Sequence, residues 1–153
     1  MFHNLIDVYK RNLPTWHRYW NLRKNVLGLE SFQPWDARAP LSKAMPEIPY
    51  KKAVEWIADG MAPMGQAYVD AMVKGSFDDR WVDIYPNKGK RMGAFSSGTH
   101  GTNPFIMMSY NDDIFSLSTL AHELGHSMHS YLSRQNQPSH LSGYGLFVAE
   151  VAS

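Results

Sequence analysis

The pentapeptide His122-Glu123-Leu124-Gly125-His126 constrains this chain more than any other stretch of it. Its histidines are four residues apart. On a helix that spacing puts them on one face with a rise of about 6 Å, so two imidazoles can turn onto one metal ion. The flanking sequence supplies the helix: Leu117, Leu120, Leu124 and Met128 recur at helical spacing and predict a buried stripe on a helix from about Ser118 to Ser133. Glu123 follows His122 about 100° around the same helix, beside the metal position and outside it. A carboxylate there can accept a proton from a water held by the metal.

A catalytic zinc takes three protein ligands and leaves a fourth position for water. The metzincin pattern needs a histidine six residues after His126, and Leu132 stands there, which excludes that chemistry. His129 is two turns from His122, about 10 Å along the axis, too far to share one ion with both other histidines. It reads as a supporting or surface residue. His140, in a polar loop, is a further candidate ligand, while Asp112 and Asp113 read as helix-entry residues that favour the positive helix end. Beyond the motif the only carboxylate is Glu150, within Phe147-Val148-Ala149-Glu150-Val151-Ala152-Ser153. A lone acid among such neighbours calls for a partner if buried, and a metal is the one at hand. The plainer alternative is an exposed helix carboxylate.

The remaining chain predicts helix over most of 1–75, strands within 81–110, and a further helix from about 146. Pro14 is expected to end one helix and open the next, Gly28 to close the second, and Pro63 to split the stretch from Tyr50 to Gly75. Trp81–Tyr85, Arg91–Ser96 and Phe105–Tyr110 read as strands separated by turns. Of the 153 residues, 44% are apolar and 19% charged, a globular composition, and the formal net charge is +1. That near-neutral balance gives no electrostatic case for nucleic acid or an anionic membrane. With no cysteine, thiol nucleophiles, cysteine–zinc modules and disulfide frameworks are excluded. No run approaches the roughly 18 apolar residues of a membrane span, and no signal peptide is visible. The loop Ser97-Gly98-Thr99-His100-Gly101-Thr102 lacks the Lys-Ser/Thr of a phosphate-binding loop.

The motif with its continuation, His122 to Ser130, and the later run Phe147 to Ser153 resemble the oligoendopeptidase F branch of the thimet oligopeptidase family. Gly89-Lys90-Arg91-Met92-Gly93-Ala94-Phe95-Ser96 and Pro104-Phe105-Ile106-Met107-Met108-Ser109-Tyr110 carry the resemblance further, and it extends loosely back to Leu27-Gly28-Leu29 and Asp36. It implies a mainly α fold with a small β-sheet, a zincin-like metallopeptidase catalytic domain. That domain is incomplete here, because family enzymes are several times longer. By position, His122, His126 and Glu150 match the zinc ligands, with one Zn(2+) per chain, and Glu123 matches the catalytic base.

The resemblance further implies cleavage of oligopeptide substrates inside a channel, and a cytoplasmic location. Gly93, Ala94 and Phe95 resemble an edge strand able to pair with an extended peptide, and His100 is a candidate substrate contact on a loop over the channel. Nucleic acid and membrane are not expected as partners. The alternative is a truncated, inactive piece that binds zinc structurally or serves only as a folding or interaction unit. Its abrupt stop at Ser153, within an expected helix, is what suggests a fragment.

Overall fold

The computed structural model describes residues 2–42 and 45–153; the expectation of helix across 1–75 also touches Met1, Lys43 and Ala44, which lie outside them. Two units form, Met1–Met45 and Pro46–Ser153.

The first unit is one long helix and a returning loop. Helix α1 spans Phe2–Val26 without a break, so Pro14 lies inside it instead of dividing it. A proline there forfeits one main-chain hydrogen bond and crowds the carbonyl four residues back, and several turns on either side carry the helix across that loss. Its end is a Schellman turn. Gly28 takes φ +66°, its N–H bonds to the Asn25 carbonyl at 3.2 Å, and the Leu29 N–H reaches the Lys24 carbonyl at 3.0 Å. Arg23, buried near that end, donates to the carbonyls of Asp36 and Ala39 and to the Tyr19 hydroxyl. This ties the short 3₁₀ turn Pro34–Arg38 to α1.

The second unit holds the main core. Helix α2 (Tyr50–Gly60) and helix α3 (Gln66–Phe77) are separated by a 3₁₀ turn at Ala62–Met64, the break expected at Pro63. Strands β1 (Val82–Asp83), β2 (Phe95–Ser97) and β3 (Phe105–Met107) form a sheet in the order β1-β3-β2. They are shorter than the sequence patterning suggests, because pairing lasts only two or three residues. β3 runs parallel to β1 and antiparallel to β2, with Ser96 opposite Ile106. Within this sheet β2 is an edge strand.

Helix α4 (Ile114–Asn136) lies against the sheet and begins four residues before the predicted start. Asp113 is its cap: the carboxylate accepts the Ser116 N–H at 2.6 Å, satisfying an amide that no helical carbonyl can reach. The apolar stripe faces inward, with Leu120, Leu124 and Met128 buried alongside Ile106, Trp81 and Val54. Gly75 lets the Trp81 indole lie directly on α3, for a Cβ at that position would run into the ring. Helix α5 (Leu146–Val151) closes the unit. Among the described residues no helix is long and apolar enough to cross a membrane.

Candidate metal centre

Because α4 is continuous through the motif, His122 and His126 stand one turn apart on one face. Their Nε2 atoms are 3.1 Å apart and their ring planes are nearly perpendicular. Helix α5 brings in the third group. Glu150 Oε2 lies 3.8 Å from His122 Nε2 and 3.9 Å from His126 Nε2. Among the described residues this is the one cluster of three or more such side chains able to hold a metal ion. A four-coordinate ion with bonds of about 2.1 Å holds its donors roughly 3.4 Å apart, and the three separations bracket that value. Two neutral imidazole nitrogens and one carboxylate oxygen are a donor set suited to zinc. His140, the other candidate, sits in a 3₁₀ turn at Ser139–Leu141 outside the cluster.

Glu150 is not held as a buried acid. Its side chain is 52% exposed, and Leu146, Phe147, Val148 and Val151 around it are exposed as well. Its position comes from how α5 is docked. Ala152 and Ser153, at the end of α5, pass so close to Gly125 that a Cβ there would stand 2.7 Å from the Ser153 Cα. The glycine inside the motif therefore sets how near α5 comes to α4.

Glu123 sits on the residue after His122, within electrostatic reach of all three donors. It is buried, and its Oε2 has no hydrogen-bonding partner among the described residues. Burial pushes its carboxyl above the usual carboxylate range. The imidazoles of His122 and His126 and the main chain of Ser96 pull it down, and Glu150 pushes it up. Such an acid is a stronger base than a solvated one.

Glu123 also lines a cavity of about 580 Å³, together with Phe115, Ser116 and Thr119 of α4 and with Gly93 and Ala94 on the approach to β2. Two of the predicted substrate contacts thus share a wall with Glu123. Phe95 is in β2 itself, half exposed, with its ring 6.4 Å from that of Phe105. His100 is elsewhere, in a separate cavity of about 400 Å³ beside Ser130, Arg134 and Tyr144.

Sequence reasoning missed three contacts around the centre. The Ser96 and Ser127 hydroxyls share a hydrogen bond at 2.8 Å, tying β2 to α4. Gly125 makes the close approach just described. His129 stacks on Tyr144, their ring centroids 3.8 Å apart and their planes 17° off parallel. Only Gly125 left a sign in the sequence: a glycine inside a helix costs about 1 kcal/mol and calls for a packing reason.

The model of the peptidase family M3 matches residues 1–153 of this chain. Oligopeptidase PepF of Bacillus subtilis is 45% identical over 154 residues, which cover 100% of this chain and 23% of that protein. Group B oligopeptidase PepB of Streptococcus agalactiae is 39% identical, covering 100% of this chain and 25% of its own length. A crystal structure of a Chlamydophila abortus protein described as a peptidase superposes with a TM-score of 0.82 at 38% identity, covering 99% of this chain and 25% of that one. The chain spans about a quarter of the length of the curated relatives it matches.

Proposed function

The chain belongs to peptidase family M3, and on that premise we propose that it carries the catalytic centre of a zinc metalloendopeptidase that cleaves oligopeptides. His122, His126 and Glu150 hold the ion, and Glu123 is the base. The observation that carries this reading is the convergence of three donor atoms within 4.8 Å of one another, with a buried carboxylate on the adjacent residue.

A zinc ion at these donors would bring a coordinated water's pKa down toward about 7 and polarise a peptide carbonyl. The chain's own residues do the rest. Glu123, buried and with one unpaired oxygen, accepts a proton from the attacking water and passes it to the departing amine nitrogen. An extended substrate pairs by main-chain hydrogen bonds along Gly93, Ala94 and Phe95, with β2 as the edge strand. The cavity wall that Glu123 shares with Gly93 and Ala94 supports a peptide lying there within reach of the base. His100 lines the separate polar cavity and is the further candidate substrate contact. The cytoplasmic placement rests on the family resemblance alone.

A metal held only for structure is the competing reading. Glu123 weighs against it, since a structural site has no use for a buried carboxylate beside its ligands. Zinc per chain, measured by elemental analysis after dialysis against metal-free buffer, is expected near one for the wild type and for Glu123→Gln. Hydrolysis of an internally quenched oligopeptide should fall about 10²–10⁴-fold in the variant. Absence of zinc from the wild type, or equal turnover in the two proteins, overturns the reading.

A further inference from the structure

Helix α5 carries Glu150, yet its own apolar side chains are exposed, so its packing alone does not explain why it stays against α4. What leads into it does. Tyr144 stands two residues before the helix, immediately ahead of its N-cap Gly145. The Tyr144 ring lies flat on the His129 imidazole, with centroids 3.8 Å apart and planes 17° from parallel. Its hydroxyl bonds to the Ser130 Oγ. One turn further along α4, the Ser133 hydroxyl donates to the Ser142 carbonyl at 2.8 Å. Three successive contacts thus fasten the segment between the two helices to one face of α4.

We propose that His129 is a positioning residue: by stacking on Tyr144 it fixes where α5 begins and so holds Glu150 against His122 and His126. The inference rests on the metal-site reading above for its purpose, but not for its geometry. His129 lies about 10 Å along α4 from His122, outside the range of a shared ion, so its part is played through the ring face. Stacking of this kind depends on a flat ring and tolerates a change from imidazole to phenyl, which distinguishes it from a role for either ring nitrogen.

The test compares wild type, His129→Ala, His129→Phe and Tyr144→Ala in the 153-residue chain. Amide hydrogen exchange is read without metal, and zinc affinity by competition with a chromophoric chelator. His129→Ala and Tyr144→Ala are expected to speed exchange at residues 146–151 while leaving 120–128 protected, and to weaken zinc binding at least about tenfold. His129→Phe is expected to restore both. Wild-type exchange at 146–151 in both alanine variants overturns the proposal, as does a phenylalanine variant no better than alanine. Should His129→Ala fail to fold, Tyr144→Ala, changed in an exposed loop, still decides. A wild type that binds no zinc overturns the metal-site reading, while the exchange comparison separately upholds or overturns the latch.

Discussion

Ser96 on the edge strand and Ser127 on α4 share a hydrogen bond of 2.8 Å between their hydroxyls. Ser127 is fully buried and directly follows His126. One polar contact therefore sets the height of the edge strand over the turn that bears the motif. Ser96→Ala and Ser127→Ala should each destabilise the fold by about 1 kcal/mol. In a double-mutant cycle read by urea unfolding, a coupling of about 0.5–1.5 kcal/mol is expected. Strictly additive losses would mean that the hydroxyls do not act as a pair.

The three proposed ligands predict a common phenotype. His122→Ala, His126→Ala and Glu150→Gln should each bring bound zinc from about one ion per chain to near none, because the two donors that remain leave an ion held mostly by water. Metal removal should also destabilise the wild type. A ligand present at a thousandfold excess over its Kd stabilises the folded state by about 4 kcal/mol. Adding a chelator should accordingly lower the thermal midpoint of the wild type and leave that of His122→Ala where it was. An unchanged midpoint in the wild type would contradict metal binding at the folded site.

Alkaline pH should unfold the second unit earlier than an ordinary tyrosine content implies. Burial pushes the phenols of Tyr50 and Tyr110 up to about 12, the charges of Asp112 and Asp113 adding to the effect at Tyr110. Their hydroxyls donate to the carbonyls of Ser76 and Ile48. An acid that keeps its proton longer when folded than when unfolded gives stability that is whole below about pH 10 and lost as the pH climbs toward 12. Each phenol accounts for about 2–3 kcal/mol over that range. Tyr110→Phe should lose about 1 kcal/mol at neutral pH with its hydrogen bond, yet show a flatter decline. Urea unfolding at pH 9, 10 and 11 tests this, and equal slopes for the two proteins would refute it.

How much of this was legible in the sequence depends on how local each feature is. His122, Glu123 and His126 could be placed because helical periodicity is a property of neighbours, and Leu120, Leu124 and Met128 set which face turns inward. Glu150 stands out by chemistry, as a lone acid among apolar residues, although it is half exposed and is held by the docking of α5. Pro14 misled because a single lost hydrogen bond weighs little against a helix that continues on both sides. The strands are shorter than the patterning suggests because ladder pairing runs for only two or three residues, although single main-chain bonds continue past β3 as far as Tyr110, whose N–H reaches the Ile84 carbonyl at 2.8 Å. Ser96 with Ser127, and His129 with Tyr144, carry no mark at all, since contacts between distant segments arise only from the packing of whole elements.

Gly125 separates metal binding from stability most sharply. Alanine at an interior helix position is favoured over glycine by about 1 kcal/mol, so Gly125→Ala taken on its own should strengthen α4. The new Cβ, however, would stand 2.7 Å from the Ser153 Cα and 2.8 Å from the Ala152 carbonyl oxygen. These are main-chain atoms at the end of α5, with no flexible tip to give way, so α5 must move outward and take Glu150 from its place 3.9 Å from His126. The expected result is a urea midpoint equal to or above wild type together with zinc affinity at least about tenfold lower. Wild-type zinc affinity in this variant would mean that the approach of α5 to Gly125 does not set the position of Glu150.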